Sequence, residues 1–125
     1  MKFTISKKSN DFIENVHSSV QAENKAILGR AGLFLALNEG VPNDFHPESD
    51  GVTMQEETIL GDELSALVKA ALNHRVGKTL NEEEYRKYFR LYFEYGCSRL
   101  RQIWEDSRKD WILFISNLSK LGTNG

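Results

Sequence analysis

The sequence predicts a compact all-α domain that begins with a short strand and assembles into an oligomer. Apolar residues recur at helical spacing along most of the chain, whereas the alternation typical of a strand is confined to Phe3–Ile5. The segment 26–37 carries one charged side chain, Arg30, so a helix there is apolar on nearly every face. A chain of 125 residues seldom encloses a helix on all sides, and we therefore expect a second subunit to cover part of it.

The N-terminal segment is predicted to be the half-buried strand Phe3–Ile5 followed by a helix. Ser6 or Ser9 can cap this helix through a side-chain oxygen, and the helix then extends to about Val20. The apolar residues that keep helical spacing in it are Phe12, Ile13, Val16 and Val20. This face is expected to pack on the core.

The second helix is predicted to follow a turn at residues 22–24 and to extend to Asn38, with Gly40 as its stop signal. A strand followed by two helices is the order of a ribbon-helix-helix unit. The predicted subunit interface consists of Ile27, Leu28, Leu33, Phe34 and Leu37. The alternative is a central helix buried inside a monomer.

One domain is predicted over residues 1–125, because the length allows a single core. Its first part, residues 1–40, is the strand-helix-helix oligomerisation unit, and its last part, residues 64–121, is helical. Between them, residues 41–63 hold seven acidic residues, no basic residue and both prolines. We expect an exposed acidic loop with a helical turn near residues 55–60.

Capping residues delimit the helices of the last part. Asp62 is predicted to cap a helix that ends around residues 74–77, and Asn81 with Glu84 forms a capping box that opens a long helix. Residues 111–121 form either a separate helix or a continuation of the long one. Because this last segment is strongly apolar, we expect it to dock on the protein's own assembly.

Sequence motifs for catalysis, cofactors and metals fail on closer inspection. Gly77–Thr79 resembles the end of a phosphate-binding loop, but Leu72 stands where that loop requires a glycine. The single cysteine, Cys97, and the scattered histidines have no metal-ligand spacing. We predict a protein that is not an enzyme and binds no cofactor or metal. The longest uncharged apolar run, residues 31–37, is too short to span a membrane, which favours a cytoplasmic protein.

Four cations are candidate contacts for a phosphate group. Lys7 and Lys8 lie at the predicted start of the first helix and Lys25 at the start of the second, where the helix dipole favours anions. Arg30 is the one charge on the apolar helix. The alternative is that these are exposed side chains that serve solubility alone.

The order of these segments resembles the DndE family, the small helical subunit of bacterial DNA phosphorothioation systems. The resemblance covers roughly residues 3–101 and rests on the following residues: Ser6, Lys7, Asn10, Asp11, Arg30, Gly32, Ala36, Leu37, Gly40, Pro42 and Leu60–Glu63. It implies a helical fold with a ribbon-helix-helix-like start, a homotetramer, and binding to double-stranded DNA with a preference for nicked duplex. It also implies a non-catalytic partner of the other phosphorothioation subunits.

The function predicted from the sequence is therefore that of a DNA-binding subunit in DNA sulfur modification. Phosphate contacts would position the machinery without reading bases. One alternative is a ribbon-helix-helix transcription regulator, which reads bases with a paired strand in the major groove. Another is a protein-interaction scaffold without DNA contact, which the net charge of −2 favours.

Overall fold

The computed structural model of the chain describes the backbone of residues 1–20 and 25–123. Within these residues it contains two short strands and five helices, in the order β1 Lys2–Thr4, α1 Lys7–Val20, α2 Lys25–Glu39, β2 Thr53–Gln55, α3 Glu56–Val76, α4 Glu82–Asp106 and α5 Trp111–Thr123. The predicted helical fold with a short N-terminal strand is confirmed. The turn predicted at residues 22–24 lies outside the described residues.

Strand β1 pairs with β2 in an antiparallel sheet. Phe3 is opposite Met54, and the pairing continues past the strand, because the Ile5 N–H donates to the Val52 carbonyl at 2.9 Å. The Phe3 ring packs edge-on against α4. The acidic segment 41–63 was predicted to be a loop with one helical turn, and β2 corrects this. Its signal in the sequence is weak, because Met54 is the only apolar residue of the strand and both of its neighbours are exposed.

Helix α1 begins after Ser6, one of its two predicted caps. The Ser9 N–H donates to the Ser6 hydroxyl at 3.1 Å, the bond expected of a serine cap. Its buried apolar face contains Phe12, Ile13 and Val16, as the periodicity predicts. This face directs the helix onto α4, so the first turn with its two lysines lies at one edge of the core.

Helix α2 packs closely against α4. A Cβ atom added at Gly96 would lie 1.9 Å from the Gly32 carbonyl oxygen, so the two backbones approach at a distance that only glycine permits. Leu33 is fully buried in this contact region, whereas Ile27 is 47% exposed and Phe34 is 40% exposed. The chain itself thus covers one side of α2 and leaves the other side open.

Helix α3 begins at Glu56, six residues before the predicted cap Asp62, whereas its end and the start of α4 agree with the capping signals. Gly61 interrupts α3 with φ 74° and ψ 175°, which separates the helical turn predicted near residues 55–60 from the main helix. Gly77 ends α3 in the left-handed conformation. At α4 the capping box is present, since the Glu84 N–H donates to the Asn81 side chain at 2.9 Å and the Asn81 N–H donates to the Glu84 carboxylate at 3.1 Å.

Helix α5 is a separate helix, not a continuation of α4. A tight turn at Ser107–Asp110 divides the two, and Phe114 is buried against Trp104 with ring centroids 5.4 Å apart. The other side of α5 is open. Its exposed apolar side chains are Trp111, Ile112, Leu113 and Ile115.

Candidate nucleic-acid interface

The cations predicted to contact phosphate occupy different environments. Lys7 and Lys8 are exposed in the first turn of α1, as predicted. Lys25 is the first residue of α2, but its side chain lies outside the described part of the chain. The half-buried Arg30 is turned toward α3, where its Nε donates to the Ile59 carbonyl at 2.6 Å. Lys7 and Lys8 are therefore the exposed pair of the predicted set.

Two backbone N–H groups at the start of α1, where the sequence predicted that phosphate is favoured, already donate to carboxylates of the chain. The Ser6 N–H donates to Glu94 at 2.5 Å and the Lys7 N–H donates to Asp50 at 2.9 Å. The bond from Lys7 lowers the pKa of the Asp50 carboxyl below its ordinary value. Two carboxylates of the same chain thus take the place that an anion would occupy. A phosphate at this end would be held by side chains.

Glu94 is a buried carboxylate that fixes the start of α1 on α4. It is 3% exposed, and besides the Ser6 N–H it accepts from the Ser6 hydroxyl at 2.7 Å and the Ser9 hydroxyl at 2.8 Å. These donors offset the cost of burying a charge. This role could not be predicted from the sequence, because Glu94 stands among aromatic residues on a helix and its partner Ser9 is 85 residues away.

Cys97 lies one helical turn after Glu94 and is buried, as predicted for a small core residue. Burial raises the pKa of its thiol well above the ordinary value, so the thiol stays protonated at neutral pH. Both residues line a cleft of about 300 Å³, along with Lys8, His46 and Arg101. The protonated thiol gives this cleft no nucleophile.

Most other lysine and arginine side chains are held by contacts within the protein. The held residues and their partners are Arg75 with the Leu37 and Asn38 carbonyls, Lys78 with Glu84, Arg86 with the Lys2 carbonyl, Arg90 with the Thr4 carbonyl, Arg99 with Glu39, and Lys69 and Lys87 over the rings of Tyr85 and Tyr88. Among the described residues, the lysines and arginines whose side chains have no hydrogen bond, ion pair or ring contact are Lys2, Lys7, Lys8, Arg101, Arg108 and Lys109. All of these except Lys2 lie at the start of α1 or near the C-terminal end of α4.

The two edges of β1 are both in use. One edge pairs with β2, and on the other edge Arg86 and Arg90 donate to the carbonyls of Lys2 and Thr4 at 3.0 and 2.7 Å. A ribbon-helix-helix regulator pairs this strand with that of a second subunit and lays the ribbon in the major groove. The contacts of β1 within its own chain argue against that alternative.

Among the residues described, no group of three or more His, Cys, Asp and Glu side chains is placed to hold a metal ion. The helices in this part of the chain also include none that is long and apolar enough to cross a membrane. The exposed cations described above therefore remain the candidate site.

Comparison with known proteins gives one family and one structure. Residues 2–106 match the family model of the DNA sulphur modification protein DndE. The fold is similar to the crystal structure of DndE from Escherichia coli B7A, which is involved in DNA phosphorothioation modification. The TM-score is 0.61 at 18% sequence identity, over 79% of this chain and 94% of that chain. A search of curated protein sequences found no match.

The two matches support different statements. At 18% identity the structural similarity concerns the fold alone. The family match spans every element from β1 to α4 and ends before α5. The resemblance seen in the sequence is confirmed, and α5 is an addition to the matched region.

Proposed function

We propose that this chain, which belongs to the DndE family of DNA sulphur modification proteins, is a non-catalytic, DNA-binding subunit of a DNA phosphorothioation system. The observation that carries the proposal is the pair of exposed lysines in the first turn of α1, Lys7 and Lys8, whose side chains have no hydrogen bond or ion pair among the described residues. In a family defined by DNA modification, exposed cations that no ion pair holds are suited to phosphate.

The proposed contacts are with the DNA backbone and not with base edges. Lysine is a flexible point charge that binds phosphate without a fixed geometry, so Lys7 and Lys8 would position the duplex without selecting a sequence. Lys25, at the start of α2, is proposed as a third contact. Arg30 already donates to Ile59, so in this arrangement it would support the fold. We further propose that nicked duplex, which bends more easily, is preferred.

Chemistry is proposed to lie in partner subunits. Cys97 is buried and its raised thiol pKa keeps it protonated, so it is a poor sulfur carrier. With one cysteine, the chain does not supply the four thiolates that hold an iron-sulfur cluster. The proposed role is to bind DNA in the cytoplasm and present it to the sulfur-transferring proteins.

Assembly into a homo-oligomer, with a tetramer as the expected size, is part of the proposal. The exposed side chains of α2 support it, since Ile27 and Phe34 leave apolar surface open to solvent beside the buried Leu33. Leu28 is buried within the same chain, and Leu37 is partly buried against the core. The proposed interface therefore centres on Ile27 and Phe34.

A second candidate function is a protein-interaction scaffold without DNA contact. The exposed apolar side of α5, with Ile112 at 79% exposure, and the net charge of −2 favour it. The two candidates differ in whether the purified protein binds DNA at all.

The test is a fluorescence anisotropy titration of the full chain with intact, nicked and single-stranded DNA at several salt concentrations. We expect binding to duplex with the highest affinity for the nicked form, and a salt dependence that the double variant Lys7→Glu/Lys8→Glu flattens by about two in log–log slope. The matched control is Lys69→Glu/Lys87→Glu, which makes the same change in net charge at cations held over tyrosine rings. Absence of binding to every DNA form at low salt would favour the scaffold.

A further inference from the structure

A second cleft, of about 510 Å³, lies between α1 and the C-terminal end of α4. Lys8, Arg101 and Lys109 line it, and these are three of the side chains that have no hydrogen bond or ion pair within the described chain. Lys8 and Arg101 also line the cleft that contains Glu94. Three cations from separate segments therefore converge on one concave surface, and no side-chain hydrogen bond or ion pair within the described residues holds them.

The turn that carries Lys109 is held in a backbone conformation that L-residues seldom adopt. Arg108 has φ 56° and Lys109 has φ 57°, where glycine would fit with less strain. Hydrogen bonds fix the turn, because the Lys109 N–H donates to the Trp104 carbonyl at 3.0 Å and the Ser107 hydroxyl donates to the Ile103 carbonyl at 2.6 Å. Two consecutive cations are thus presented from a rigid turn beside the cleft.

Two carboxylates also line the cleft, and they limit what it can hold. Asp11 and Glu105 reduce the charge of the three cations to a net value of +1, so the cleft is suited to one phosphate group and not to a run of them. Buried apolar side chains, Val16 and Trp104, form part of the same lining. The cations themselves remain accessible to an anion, since Lys8 and Lys109 are exposed.

We propose that this cleft binds one phosphate group of the DNA backbone through Lys8, Arg101 and Lys109. The inference rests on the proposed function and extends it to residues that the sequence did not single out. Lys109 lies three residues past the end of the family match at residue 106, so one contact comes from the C-terminal extension of this chain. The extension would therefore add to DNA binding as well as to packing.

The experiment measures the affinity of the full chain for nicked duplex by anisotropy at several salt concentrations, for the wild type and for Lys109→Glu. We expect the variant to bind at least about threefold more weakly and to lower the log–log salt slope by about one. Lys87→Glu is the control, because it makes the same charge change far from the cleft. Lys87 lies about 28 Å along α4 from the helix end at Asp106, at 1.5 Å per residue. The control should change affinity less than half as much.

A charge-removing variant tests the same cleft in the opposite direction. Asp11→Asn should tighten DNA binding, because the substitution takes a repelling carboxylate out of the cleft while the cations stay. Asp11 is exposed, and thermal melting checks that the fold is unchanged. Equal affinities for Asp11→Asn and wild type would count against the cleft.

The outcomes separate this inference from the proposed function. A wild-type protein that binds duplex while Lys109→Glu matches Lys87→Glu would overturn the cleft and leave the DNA-binding role standing. A wild type that binds no DNA would overturn both. A titration with inorganic phosphate, followed by the NMR shifts of the Arg101 and Lys109 amides, distinguishes a site for free anions. The cleft is such a site, and the proposal is overturned, if phosphate saturates these shifts at micromolar concentration and duplex DNA does not displace it.

Discussion

Helices α2 and α5 both pack on α4, but they do so in different ways. Helix α2 contacts α4 through backbone, at Gly32 and Gly96, and buries Leu33 completely. Helix α5 buries one side chain completely, the Phe114 ring against Trp104, and leaves Ile112 79% exposed. Leu118 packs partly buried on the core, and the Asn117 side-chain amide donates to the Ser107 hydroxyl at 2.8 Å. The first contact leaves no space between the two backbones, whereas the second depends on side chains, of which one is fully buried.

This difference separates a contact that specifies the family fold from a helix that is added to it. The α2–α4 contact lies inside the region that matches the family, and α5 lies outside it. This contact tolerates no side chain at Gly96, where a methyl group would overlap the Gly32 backbone, and leaves little room at Gly32, where it would lie 3.0 Å from the Gly96 carbonyl carbon. A helix that packs through side chains alone is expected to tolerate substitution better, and truncation of α5 tests this expectation.

The largest expected effect is that of Gly96→Val. The added Cβ would lie 1.9 Å from the Gly32 carbonyl oxygen, so α2 and α4 would have to separate, and we expect a loss of more than about 4 kcal/mol and no cooperative folding. Circular dichroism melting measures this. The control is Ser98→Val, a half-exposed position two residues along the same helix. A cooperative transition near that of the wild type would show that the close approach is not required.

The next effect contrasts the two sides of α2. Leu33→Asp should unfold the chain, since an unpaired carboxylate at a fully buried position costs several kcal/mol, on the order of 3–5. Phe34→Asp, at a 40% exposed position, should keep the fold and dissociate the oligomer. Sedimentation of both variants and the wild type at micromolar concentration makes the comparison. A monomeric wild type would contradict the proposed subunit interface.

Sequence reasoning predicted the helices well because their signals are local. The capping box at Asn81, the stop at Gly77 and the cap at Ser6 each depend on residues within one turn. Helix α2 was correctly predicted as an apolar helix, but the sequence alone does not tell which of its sides the chain itself covers. That depends on the approach of Gly32 to Gly96, two residues separated by most of the domain.

The parts of the site that sequence reasoning missed are those assembled from distant segments. Glu94 bonds with Ser6 and Ser9, and nothing in the local pattern around Glu94 indicates those partners. The cleft with Arg101 and Lys109 likewise forms only when the end of α4 lies against α1. Arg30 was predicted as a phosphate contact from its charge, yet its Nε is bonded to a carbonyl of α3. Whether a cation is free to bind phosphate therefore depends on its contacts in the folded chain.

Removal of α5 should have a moderate effect. A chain ending at Asp110 exposes Trp104, and burial of one such side chain is worth about 1.5–3 kcal/mol, so we expect a lower melting temperature with cooperative unfolding retained. Ile112→Ser, which alters only exposed surface of α5, should leave the melting temperature unchanged. Loss of folding on truncation, as expected for Gly96→Val, would mean that α5 is an integral part of the core.

The smallest effect concerns the N-terminal caps of two helices, Asp110 at the start of α5 and Asn81 at the start of α4. The Leu113 N–H donates to the Asp110 carboxylate at 3.0 Å, and loss of such a cap costs about 1 kcal/mol. Because α5 buries only Phe114 completely and exposes most of its first turns, Asp110→Ala should increase hydrogen exchange in α5 and leave the amides of α2 as protected as before. Asn81→Ala removes a cap of comparable strength from α4, on which α2 packs, so it should lower protection in both of those helices. Equal loss of α2 protection in the two variants would show that α5 unfolds together with the core and not ahead of it.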